Sequence, residues 1–200
     1  MPAGARPLSN VPPPIAIAAG LHGAFLLARG RPWGLLLFET SPAGAARSFI
    51  AMLFCLPAYL GLRLLDWTDG AAPDDPLRAL VVDLIGFAVA WLGYAALSFS
   101  LAEALGRAHH WPRFLCAWNW SNVVQYTAMV LLVAPGALLG LPQPIPQALG
   151  LIALGYALWV EWYVTRLALE LPAMGAAALV VVDLAIGLMI GGLIARLGAG

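Results

Sequence analysis

The chain alternates long apolar runs with short polar or proline-rich breaks. Five runs approach or exceed the ~20 residues that a helix needs to cross a bilayer. They cover about residues 48–65, 79–105, 114–140, 147–168 and 172–194. Pro57 lies inside the first and predicts a kink. Pro172 opens the fifth, a favoured first-turn position. A shorter run over residues 15–29 would reach only about 22 Å as a helix. It reads as a helix at the cytoplasmic interface or docked on the bundle, with a re-entrant segment as the alternative. Residues 1–14 are Pro-rich, are expected to be disordered, and lack the apolar core of a signal peptide. The predicted organisation is therefore a tail over 1–14, an interfacial helix and linker over 15–47, and a five-helix transmembrane domain over 48–197. The fold class is all-α, an integral membrane helical bundle.

Composition supports lipid as part of the solvent. Hydrophobic residues make up 62% of the chain and charged residues 10%, against about 25% charged in soluble domains. The 200 residues suffice for one compact bundle. Formal net charge is zero, so nothing points to nucleic acid as a partner. Cys55 and Cys116 fall in separate apolar runs and read as core thiols rather than a disulfide framework. All ten basic residues are Arg, which with abundant Ala, Gly, Leu and Pro reads as a GC-rich bacterial genome.

The arginines also orient the spans. Arg6, Arg29, Arg31, Arg47, Arg107, Arg113 and Arg166 fall on one side, and Arg63, Arg78 and Arg196 on the other. By the positive-inside rule the N-terminus is cytoplasmic and the C-terminus periplasmic, in a bacterial inner membrane. The acidic loop with Asp66, Asp69, Asp74 and Asp75 then faces the periplasm. Trp67, Trp111, Trp118 and Trp120 read as an aromatic belt near the interfaces.

Charge inside the spans is the informative chemistry, because a carboxylate at mid-bilayer costs about 2.5–3.5 kcal/mol on insertion scales. Asp183 is deepest, with no basic residue near its depth. It needs a polar partner on another helix or a proton. Glu161 has Arg166 five residues on. It reads either as part of a structural pair or as part of a proton or ion relay. Asp83 lies about one turn from the outer surface and Glu103 near the inner end of its span. Asn119, Asn122 and Gln125, spaced by three, share a helix face. Glu103, Asn119, Asn122, Gln125, Glu161 and Arg166 thus form a candidate polar cluster in the cytoplasmic half. It is either packing glue between helices or a binding pocket.

Other patterns carry less. His109 and His110 are adjacent on a short connection, without further ligands at helical spacing, so no metal site is expected. No phosphate loop or nucleophile elbow occurs, so neither a cofactor nor an enzymatic role is expected. Gly187 and Gly191, like Gly136 and Gly140, have the spacing of close helix contacts, within the chain or between copies. Leu80–Leu84 and Val180–Leu184 each surround an Asp with similar residues, as an inverted repeat or by coincidence.

The segment Phe38-Glu39-Thr40-Ser41-Pro42-Ala43-Gly44-Ala45-Ala46-Arg47-Ser48-Phe49 leads into five closely spaced hydrophobic helices. This arrangement, over about residues 33–197, resembles the prokaryotic branch of the Ypt/Rab-interacting protein (YIP) membrane family. The resemblance implies a scaffold, interaction or membrane-organisation role, and no catalytic residue. The expected partners are the lipid bilayer and a membrane protein or a second copy of the chain. A small transporter or ion-translocating subunit using the intramembrane carboxylates is the alternative. A lipid-acting enzyme around His109, His110 and Arg113 is a further one. A scaffold predicts that every polar side chain is capped in a closed core, and a transporter predicts a cavity reaching Asp183. Topology is checked with reporter fusions after Gly70 and Gly200, both expected on the periplasmic side; cytoplasmic signal at both contradicts the orientation.

Overall fold

The computed structural model describes residues 13–67 and 72–198. The expected disorder of the proline-rich tail, through residue 12, lies outside the described residues, as do Asp69, Gly70 and Gly200. Within them the protein is helical throughout. The helices are α1 (Pro13–Ala28), α2 (Pro42–Ser48), α3 (Ile50–Asp66), α4 (Pro76–Ala104), α5 (Trp111–Leu138), α6 (Pro144–Ala168) and α7 (Ala173–Gly198). Short 3-10 turns occupy Pro32–Leu37 and Ala108–His110. Five helical stretches are long and apolar enough to cross a membrane, with α2 and α3 acting as one. The protein is a multi-pass membrane protein.

The ends of these helices follow local chemistry. Ser41 and Asp75 cap α2 and α4 by accepting from the backbone N–H groups of Gly44 and Arg78, both at 3.0 Å, and a proline follows each cap. Four helices stop in the same left-handed turn, closed by a backbone bond from the next residue to a carbonyl five residues back. Glycine takes the left-handed position at Gly30, Gly106 and Gly140. After α6 the position is held by Glu170, at φ 55°, where a side chain costs about 1–2 kcal/mol. The helix α3 continues unbroken through Pro57.

The hub is α5, which packs against α6, α3, α1 and α2. By contrast α4 packs mainly on α7 and touches α5 only lightly. The short helix α1 is docked on α5, so of the predicted placements it takes the docked one. Gly20 permits this approach, since a Cβ there would overlap the Trp120 indole. The end of α1 is tied to α6: Tyr156 donates to the Ala28 carbonyl and Tyr163 to that of Gly30, each at 2.9 Å.

Lipid is as apolar as the side chains, so helix association rests on close packing and interhelical hydrogen bonds. The core is aromatic: Phe87, Trp91 and Tyr94 of α4 and Trp118 of α5 are all buried. Trp91 and Trp118 meet edge to face at 5.2 Å between ring centroids, a geometry worth about 0.5–1.5 kcal/mol beyond its area. Trp118 and Trp120 are therefore core residues and not part of an interfacial belt, because α5 begins at Trp111 and carries both well into the bundle.

One polar tie crosses three helices. Buried Asn119 accepts from the Trp91 indole at 2.8 Å and donates to the Ser48 hydroxyl at 2.7 Å. It joins α5 to α4 and α2. Asn119→Ala strips a partner from both and is expected to cost about 1–2 kcal/mol, read as an earlier midpoint of unfolding in mixed detergent micelles. An unchanged midpoint contradicts the tie.

Candidate functional site

The polar residues of the spans separate into four places. The first is an ion pair. Asp83, 1% exposed, meets Arg63 at 2.7 Å. Arg63 sits near the end of α3 and Asp83 near the start of α4, and the pair joins these two helices. The second is the Asn119 tie described above.

The third place is an open cavity of about 250 Å³ lined by α4, α5, α6 and α7. It opens where α4 fails to pack closely on α5. Glu161 of α6 and Asp183 of α7 lie on its wall. Glu161 stands seven residues before the end of α6 and Asp183 ten after the start of α7, about 10 and 15 Å along the two helices. The tight turn between the helices therefore sets both acids at similar depth. Their carboxyl groups lie within hydrogen-bonding range of each other. A hydrogen bond between two carboxyl groups requires a proton on one of them. Asp183 shares the wall with the Trp118 indole, and Glu161 Oε1 is buried without a donor among the described residues. The buried hydroxyls of Tyr94, of Ser121 and of Thr165, the last one turn from Glu161, also lack partners among the described residues.

The rest of the wall is aromatic and amide. Phe87, Trp91, Trp118 and Tyr126 contribute rings, and Asn122 and Gln125 contribute carboxamides. Asn122 uses its amide N–H on the Trp118 carbonyl at 3.0 Å, which leaves its oxygen available. No arginine or histidine lines the cavity.

The expected six-residue cluster is thus corrected. Asn122, Gln125 and Glu161 meet at the cavity, joined by Asp183. Asn119 lies apart in its own tie, because each step of three residues turns about 60° round the helix. Glu103 is exposed, since it follows buried Ala102 by one residue and so points about 100° away from the packed face. Arg166 does not reach Glu161. It lies about 140° round α6, exposed, with its guanidinium 5.4 Å from the Trp162 ring centroid.

The fourth place lies at the arginine-rich end. Glu170, in its left-handed turn, accepts from Arg113 at 3.1 Å and lies 3.3 Å from His110 Nε2 and 4.0 Å from Arg107. Arg113 also donates to the Ala168 carbonyl at 2.8 Å. This cluster ties the start of α5 to the turn between α6 and α7. The sequence reading passed over Glu170; its one signal was a lone charge in an otherwise apolar turn. The paired glycines also divide. Gly136 packs against Pro146, while Gly187 and Gly191 meet no side chain of the described chain.

No protein-family model, curated protein or solved structure matches this chain. The geometry therefore carries the functional argument.

The Arg113 hydrogen bond, followed by the charge of His110, holds the Glu170 carboxyl below its usual range. Its contribution to stability is then present above the ordinary value of 4.5 and lost as pH falls below it. Glu170→Gln is expected to lower the melting temperature slightly at pH 7, with the difference from wild type shrinking below pH 4.5. A difference that stays constant across that range contradicts the role of the charge.

Proposed function

We propose that the protein binds a small solute inside the membrane and exchanges it for a proton. The observation that carries this reading is the Glu161–Asp183 pair on the wall of a cavity. Ionisable groups are expensive in lipid, and those that face a cavity instead of a counter-charge mark ion and proton routes. The other buried acid, Asp83, already has its arginine. Among the described residues neither Glu161 nor Asp183 has one, and a pair that shares one proton can release it when a ligand supplies compensating charge or hydrogen bonds. Tyr94 and Thr165 supply hydroxyls near the pair, Thr165 from the side on which α6 and α7 are joined.

The remaining parts fit a structural frame. At the arginine-rich end one acid is surrounded by three basic side chains, with no nucleophile among them. This supports a clamp on the α6–α7 turn over a lipid-acting enzyme. We place the protein in a bacterial inner membrane with the arginine-rich end in the cytoplasm, on the arginine distribution. A YIP-like scaffold role is the second reading. The observation in its favour is the outer face of α7, where Gly187, Gly191 and Gly192 stand open beside exposed Leu188 and Met189.

The test uses purified protein in liposomes with an imposed pH gradient. Small cationic, neutral and anionic solutes are added in turn. Wild type is expected to dissipate the gradient with at least one class. Glu161→Gln and Asp183→Asn, close in shape to the native side chains, are expected to fall to the level of protein-free vesicles. Equal dissipation by wild type and both variants removes the pair from transport.

A further inference from the structure

Resting on the proton-exchange reading, we infer that the ligand of the cavity is a small organic monocation, an alkylammonium or quaternary ammonium group. Three features of the wall agree. Its charged residues are both acids, and no basic side chain lines it. The oxygens of Asn122 and Gln125 add acceptors. The rings of Phe87, Trp91, Trp118 and Tyr126 line the same space, and aromatic faces attract cations most strongly when desolvated. One indole is held in place before any ligand arrives: Trp91 donates to Asn119 at 2.8 Å. A wall of this kind gains least from an anion, which would meet two carboxyl groups and no positive charge.

The same wall argues against a bare metal ion as the ligand. Among the described residues no group of three His, Cys, Asp or Glu side chains stands together. Hard divalent ions take six or more oxygen ligands, whereas four aromatic rings offer a weakly hydrated organic cation a surface in place of water. The volume, about 250 Å³, lies below the ~300–1,000 Å³ of pockets for drug-sized ligands. It suits a compact ammonium group with short substituents.

Charge balances in the exchange. With one shared proton the pair carries a single negative charge. When the monocation enters and the proton leaves, two carboxylates and one cation again sum to a single negative charge. One proton is released for each cation bound, no bond other than O–H is broken, and the net charge of the buried site never changes. The titratable groups that face the pair from neighbouring helices are Tyr94 of α4 and Tyr126 of α5. No charged side chain of α4 or α5 lines the cavity.

The test compares three probes of one shape: tetramethylammonium, neutral pivalamide and anionic pivalate. Binding to the full chain in detergent is measured by calorimetry in buffers of different ionisation enthalpy, which reads the protons released. Tetramethylammonium alone is expected to bind with release of one proton. Its affinity should weaken about tenfold for each unit of pH through the acid range where the pair holds its proton. Glu161→Gln and Asp183→Asn should each abolish the proton release. If pivalamide or pivalate binds with proton release and tetramethylammonium does not, the cation assignment is wrong while proton exchange stands. If tetramethylammonium binds equally in wild type and in both variants, with no proton released, the assignment of the carboxyl pair as its site is wrong. If none of the three binds to wild type and no solute class dissipates a pH gradient, both the cation assignment and the exchange reading fail.

Discussion

Hydrocarbon offers no hydrogen bonds, so every polar group that enters the bundle must find its partner in the chain. That constraint sorts the intramembrane residues of this protein. Asn119 is held by Trp91 and Ser48. Asp83 is held by Arg63. Both arrangements fix helices against one another, although the second Asp83 oxygen has no hydrogen-bond partner among the described residues. Among the described residues Glu161 and Asp183 have each other and a cavity in place of a counter-charge. A fold that can pair Asp83 with an arginine leaves these two acids without one, and that contrast is the strongest structural reason to assign them chemistry.

The cavity follows from how the helices associate. The hub α5 binds α6, α3, α1 and α2 closely, helped by glycine at the α1 contact. The pair α4 and α7 forms a second close contact, with Gly86 against Ile194. These two assemblies meet through α6 and α7 and through bulky rings between α4 and α5. Rings as large as Trp91 and Trp118 hold backbones apart, and the space left between them is lined by aromatic residues. The left-handed turn at Glu170 then matters indirectly. It fixes how α7 departs from α6 and so sets Asp183 level with Glu161. The surrounding Arg107, His110 and Arg113 offset the strain of placing a side chain where three other helices use glycine.

Much of this was legible in the residues. Runs of apolar residues near the length of a bilayer crossing gave five spans whose ends agree with the helices to within a few positions. The acids were legible as a class, since any carboxyl deep in a span needs an account. The pairing of those acids was not legible. Glu161 and Arg166 are neighbours in sequence yet point apart, because five residues turn a helix well past the same face. Asp83 and Asp183 sit in similar local sequences yet have opposite fates, because one faces the end of α3 and the other faces α6.

What the sequence determined by itself was that this is a helical membrane protein, roughly where its helices begin and end, and that a few polar residues lie at depths where water does not reach. Hydropathy and helix geometry act along the chain, so a linear reading suffices for them. Only the tertiary structure decided that Glu161 meets Asp183, that Glu103 and Arg166 stand aside, and that aromatic rings line a cavity at the pair. Those outcomes depend on which face of each helix meets which neighbour, and that is set by interhelical packing that leaves little trace in the order of residues.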